Sequence, residues 1–215
     1  MNIQPGPNKK FLAAIVLISI FALIAQLCLS IQNRPHSVSL TEAVIRYFSF
    51  FTIESNILVS LCCCAVLLAP VSAWGRFFYK SNTQSAVAVY IFVVGLVYNT
   101  VLRQIWNPTG LQKLVDELLH VGVPVLFVMY WFFYVPKDTL KWNITLWLIF
   151  PTAYAVYSFI RGAFTGYYPY PFMDVNKLGT QTVILNTCGL VLGFMVVCLL
   201  AVAIGKFIAP KNIPG

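Results

Sequence analysis

The sequence predicts an all-α, polytopic membrane protein with six transmembrane helices and both termini in the cytoplasm. Three observations carry this expectation. Of 215 residues 60% are hydrophobic and 9% charged, with a mean hydropathy of +0.82, against about 45–50% apolar and about 25% charged in soluble domains. Six stretches approach the ~20 apolar residues that a helix needs to cross the hydrocarbon core. The basic residues also fall unevenly on the loops between those stretches. A transmembrane β-barrel would instead show short alternating segments of about ten residues.

The first span, 11–31, follows Lys9 and Lys10 but is too long for a signal-peptide core and has no small-residue cleavage site, so it reads as an uncleaved helix. The others are expected at 43–70, 85–103, 117–135, 142–160 and 180–208. Residues 1–10 form a cytoplasmic segment, 11–208 the membrane domain and 209–215 a cytoplasmic tail. Lys9, Lys10, Arg76, Lys80, Lys137, Lys141, Lys206 and Lys211 share one side of a six-span arrangement. Arg34, Arg103, Lys113, Arg161 and Lys177 lie on the other, so the positive-inside rule sets both termini in the cytoplasm. The net charge of +8 is thus a topology signal and argues for no nucleic-acid partner.

The six cysteines, Cys28, Cys62, Cys63, Cys64, Cys188 and Cys198, all lie within expected spans. Three in a row on a helix point in three directions and lack metal-ligand spacing. They read as packing residues, with palmitoylation near the cytoplasmic end as the alternative. Neither a metal nor a cofactor is implied, and no protein partner is indicated.

Polar character gathers in the outer half. Glu42, Glu54, Asp116, Glu117 and Asp174 belong there, and only Asp138 falls on the cytoplasmic side. Asn99, Arg103 and Arg161 close their helices at that end. Such a distribution suits a polar cavity opening outward. The connection around Gly166-Tyr167-Tyr168-Pro169-Tyr170-Pro171-Phe172 contains two Tyr-Pro steps and reads as a stiff extended flap, either an aromatic belt or a lid. His36 reads as a solvated loop histidine.

Within the spans, Thr52 and His120 stand out. Ionisable groups at membrane depth cost roughly 2.5–3.5 kcal/mol each on insertion scales and mark functional sites facing the bundle interior. A helix turning ~100° per residue sets Ser49, Thr52, Asn56 and Ser60 in one stripe, a pattern that also serves close helix packing. Glu54 points off that stripe and is expected to pair with an arginine such as Arg103. Asp116 and Glu117, four and three residues before His120, are both within reach to orient its ring. Pro124 is expected to bend its span and free a carbonyl.

These segments, with Val97-Tyr98-Asn99-Thr100-Val101-Leu102-Arg103 and Tyr167–Phe172, resemble the androgen-induced, androgen-dependent integral membrane family of threonine hydrolases and its bacterial relatives. The likeness runs from the first helix to the sixth. It is strongest to the bacterial branch, at Phe50–Asn56 and Leu119–Pro124, which implies a bacterial cytoplasmic membrane. Animal members have a different register between histidine and proline, and here Ser49 offers a rival hydroxyl one turn before Thr52. The resemblance implies hydrolysis of fatty acid esters of hydroxy fatty acids, or similar membrane lipid esters, with Thr52 as nucleophile and His120 as base.

In that chemistry Asn56, Asn99 and Arg103 are candidate donors to the oxyanion, and Arg103 or Arg161 could hold a substrate carboxylate. Two rivals use the same residues differently. A small-solute transporter would relay ions through Asp, Glu, His and Arg, but the halves of the chain show no repeat and the cytoplasmic half lacks a polar path. A non-catalytic lipid-binding or scaffold protein would need only the cavity.

Overall fold

The computed structural model describes residues 8–209, so residues 1–7 and 210–215, most of the two expected cytoplasmic segments, lie outside the described residues. The chain forms helices α1 (Lys9–Gln32), α2 (Leu40–Phe48), α3 (Phe51–Leu68), α4 (Ala73–Phe78), α5 (Ser81–Thr100) and α6 (Gly110–Glu117). A π-helical turn, Leu118–Gly122, joins α6 to α7 (Val123–Tyr134), followed by α8 (Thr145–Thr165), α9 (Val175–Leu178) and α10 (Thr180–Ile208). No strand occurs among the described residues.

Five helical segments are long and apolar enough to cross a membrane: Lys9–Gln32, Phe51–Leu68, Ser81–Gln104, Gly110–Tyr134 and Thr180–Ile208. The 21 residues of α8 extend roughly 31 Å at ~1.5 Å per residue. Its Pro151, Tyr154, Tyr157, Ser158 and Arg161 dilute its apolar character relative to those five.

Burial ranks the helices. Along α3, buried residues occur on nearly every face, from Phe51 to Val66, and α5 is buried from Gln84 to Val94 except at Phe92. These two form the centre. On α1 only Leu12, Ile15, Ser19 and Ala22 are buried, one narrow stripe packed against α3, where Ser60 donates to Ser19 at 2.8 Å. Such small hydroxyl contacts let apolar helices approach closely without a hydrophobic driving force. Lys137 closes α7, its Nζ donating to the carbonyls of Trp131, Phe132 and Val135 at 2.6, 3.0 and 2.6 Å. This end of the bundle also holds Asn8 against Tyr134 and Gly205 against Leu140.

The expected second span is not continuous. It breaks at Ser49 and Phe50 into α2 and α3, with Phe50 in extended geometry at φ −88° and ψ 125°. Buried backbone cannot leave its polar groups unpaired, and tyrosines from distant segments pair them here. Tyr154 of α8 donates to the Ser49 carbonyl at 3.0 Å, and the Thr52 N–H donates to the Tyr170 hydroxyl at 3.2 Å. The break also removes Ser49 from the stripe expected with Thr52, Asn56 and Ser60.

Candidate active site

The break puts Thr52 at the second position of a helix whose N-cap, Phe50, offers no side-chain acceptor. The first N–H groups of a helix have no intrahelical partner and carry the positive end of its dipole. The Thr52 N–H therefore points out of the helix toward the cavity and is held by Tyr170. Thr52 Oγ1 also lies 3.2 Å from the Tyr170 hydroxyl. On its other side it lies 3.3 Å from His120 Nε2.

His120 is carried by the π-helical turn that precedes Pro124. Proline has no N–H to give the carbonyl four residues back, which is that of His120, and π turns of this kind recur at functional sites. Gly95 of α5 faces that carbonyl: a Cβ there would lie 3.1 Å from His120 O and 3.3 Å from Pro124 Cβ. The expected distortion at Pro124 thus takes the form of an inserted turn that α5 accommodates with a glycine.

The imidazole is oriented from behind. Its Nδ1 lies 2.8 Å from the Asp116 carbonyl oxygen and 3.4 Å from the Asp116 carboxylate. A carbonyl only accepts, so Nδ1 carries the proton and Nε2 turns its lone pair to Thr52. Tyr98 stacks on the ring, centroids 4.1 Å apart and planes 17° from parallel, and its hydroxyl donates to the Asp116 carboxylate in a short contact. Tyr170 completes a directed chain. Its hydroxyl accepts from the Thr52 N–H and gives its single hydrogen to Oγ1, leaving the threonine proton for His120. Burial pushes the Tyr170 phenol up to about 12, so it remains a neutral donor.

The other expected site residues are distributed differently. Asn56 is fully buried and donates to the carbonyls of Thr52 at 2.8 Å and Leu119 at 3.2 Å. It ties α3 to the turn carrying His120, with its amide nitrogen engaged by those two carbonyls. Asn99 is exposed and donates to Gly95 on its own helix at 2.7 Å, outside the cavity. Arg103 and Glu117 pair with each other at 2.6 Å, so Glu117 turns away from His120 and Arg103 is not the partner of Glu54. Arg161 binds Glu42 at 2.7 Å, through the same carboxylate oxygen that accepts from Arg46 at 2.7 Å. Ser49 donates to Ile45 O at 2.7 Å and sits 3.0 Å from the Tyr157 hydroxyl; those partners, not an imidazole, engage its oxygen.

Sequence reasoning missed Tyr98 and Tyr170 as individual site residues. Both lie in the segments that carry the family resemblance, but a tyrosine in an apolar protein reads equally as belt or packing. Within the flap, Tyr168 lies on Gly162 of α8, where any Cβ would collide with its ring, and two residues on Tyr170 meets Thr52.

Two cavities meet at Thr52 and Tyr170. The larger, about 570 Å³, is lined by Gln26, Arg46, Tyr98, Asp116, His120 and Tyr167 among others. At its mouth Arg46 lies 4.2 Å over the Tyr167 ring. The smaller, about 380 Å³, runs between α3, α5, α8 and α10 and is walled mainly by Val94, Val97, Phe159, Phe172 and Phe194. Both are in the size range of small-molecule sites. No family model matches the chain, and no curated protein or solved structure matches it.

Proposed function

We propose that this protein is an intramembrane hydrolase of lipid carboxylic esters, with Thr52 as nucleophile and His120 as general base. The observation that carries this reading is the single run of hydrogen bonds from Tyr170 through Thr52 to His120 and Asp116. A threonine hydroxyl is a weak nucleophile until a base within reach takes its proton. The resemblance to the membrane threonine hydrolases points to the same two residues and to esters such as those of hydroxy fatty acids.

In the first half-reaction Thr52 Oγ1 bonds to the ester carbonyl carbon while its proton passes to His120 Nε2. The carbonyl electron pair moves to oxygen, where the Thr52 N–H and the Tyr170 hydroxyl are the donors at hand. Collapse expels the alcohol oxygen, which takes the proton from His120, and leaves an acyl-threonine. A water molecule then attacks the acyl carbon, gives a proton to His120, and releases the fatty acid as Thr52 recovers its hydrogen. Asp116 holds the ring throughout and favours the imidazolium.

The proposal includes α8 as a sixth span, which sets Lys9, Lys10, Arg76, Lys80, Lys137, Lys141 and Lys206 on one, cytoplasmic, side of a bacterial cytoplasmic membrane. The test is ester turnover and fluorophosphonate labelling of detergent-solubilised protein. Thr52→Ala and His120→Ala are expected to lower turnover by about 10²–10⁴-fold, with Ser49→Ala near wild type. Activity that follows Ser49 in place of Thr52 would overturn the assignment.

A further inference from the structure

The smaller cavity differs in kind from the larger one with which it shares Thr52. No charged side chain lines it. Of its hydroxyls, Tyr154 is committed to the Ser49 carbonyl and Thr187 to the Val183 carbonyl of its own helix at 2.7 Å. Thr52 and Tyr170 belong to the site itself, which leaves Thr152 of α8 as the one other hydroxyl on a wall that is otherwise hydrocarbon and aromatic surface.

The cavity also has a side opening. Val156 of α8 and Val191 of α10 both line it, yet they are 53% and 50% exposed. Around that slot the outer surfaces of the two helices carry exposed Ile149, Ile160, Leu192 and Val196. In a bilayer these surfaces face acyl chains. One apolar lining, Phe172 and Phe194 included, thus reaches from the exposed Val156 and Val191 to Thr52.

We infer that this chamber is the acyl-chain site, and that long-chain esters reach Thr52 sideways from the bilayer through the slot between α8 and α10. The alcohol portion then lies across Thr52 in the larger cavity. The inference rests on the hydrolase reading and deepens it by assigning the two arms of the ester. Chain length should be read by the chamber, because each buried methylene favours binding by about fourfold until the space is filled.

The test has two arms. Turnover of p-nitrophenyl acetate, butyrate, octanoate, dodecanoate and palmitate by the wild-type protein is expected to rise in kcat/KM by about fourfold per methylene and then level. Val191→Trp and Ala155→Phe should bring the levelling to shorter chains. Leu185→Trp, exposed on α10 and outside the chamber, should keep the wild-type profile. The second arm needs no catalysis: Thr52→Ala protein in phosphatidylcholine vesicles is irradiated with palmitic acid bearing a terminal diazirine. Label on α8 and α10 around Val156 and Val191, displaced by plain palmitate and lost in Val191→Trp, supports the site. A flat chain-length series in an active enzyme, or label spread over all lipid-facing helices and undiminished by palmitate, overturns it. Displaceable label in the chamber with no ester turnover by the wild type would leave the chamber standing and remove the hydrolase reading instead.

Discussion

Tyr98 covers one face of the His120 imidazole and at the same time donates its hydroxyl to Asp116, the residue that orients that imidazole. One side chain thus fixes both the tilt of the ring and the group behind it. Tyr98→Phe keeps the stack and loses the hydrogen bond, whereas Tyr98→Leu loses both. A bond to a buried charged group contributes about 1.5–3 kcal/mol. The expected outcome is a kcat lowered by about tenfold or more in Tyr98→Phe with KM nearly unchanged, and a larger loss in Tyr98→Leu. A change in KM alone would assign Tyr98 to substrate binding instead.

Tyr170→Phe removes the side-chain partner of the Thr52 N–H and the donor to Oγ1 while leaving the ring packed on Phe50 and Phe172. Loss of one oxyanion donor typically costs about 10²–10³ in kcat. Steady-state kinetics on a short ester should show that loss, and thermal unfolding should shift little.

Gly95 sets how near the His120 turn can come to the centre of the bundle. Gly95→Val inserts atoms where a Cβ alone would meet His120 O at 3.1 Å, and overpacking of this kind costs about 1–3 kcal/mol. The expected result is a lower unfolding midpoint together with reduced kcat. Gly95→Ala should sit between this variant and wild type in both measurements.

Glu42 gives the protein an acid limit. The Arg46 hydrogen bond, opposed by partial burial and aided by Arg161, holds its carboxyl below the ordinary value of 4.5. The folded value lies under the unfolded one, so this stabilisation is complete above about 4.5 and is lost as pH falls through the folded value. Unfolding midpoints should be steady from neutral pH to about 5 and drop below 4.5. Glu42→Gln should start lower at neutral pH, with two guanidiniums facing no carboxylate, and lack that contribution to the drop.

How far the residues foretold this arrangement can be judged from particular ones. Apolar runs identify the five helices long and apolar enough to cross a membrane, while α8, expected as a further span, is not among them, and the cost of polarity at depth singles out Thr52 and His120. The choice between Asp116 and Glu117 was not legible. Positions three and four before a histidine both reach it on a regular helix, and here a π turn and the Arg103 pairing separate them. Nor was the break at Ser49 and Phe50, since Phe48-Ser49-Phe50-Phe51 has no Pro or Gly to announce it. The tyrosines that pair its backbone, Tyr154 and Tyr170, stand 105 and 118 residues away from the groups they bind. Arg161, a candidate to hold a substrate carboxylate, pairs through Nη2 with Glu42, a contact between segments 119 residues apart that local sequence does not announce.

That long-range pairing of the broken helix has a consequence for biogenesis. A growing chain that has emerged only as far as α7 already carries Thr52, Asp116 and His120, but neither α8 nor the flap that pairs the exposed backbone of the interrupted segment. The hydrogen-bonded arrangement around Thr52 is therefore completed late, when Tyr154 and Tyr170 arrive. Half-made or truncated copies would hold Thr52 and Ser49 without the two tyrosine hydroxyls that pair them in the finished fold.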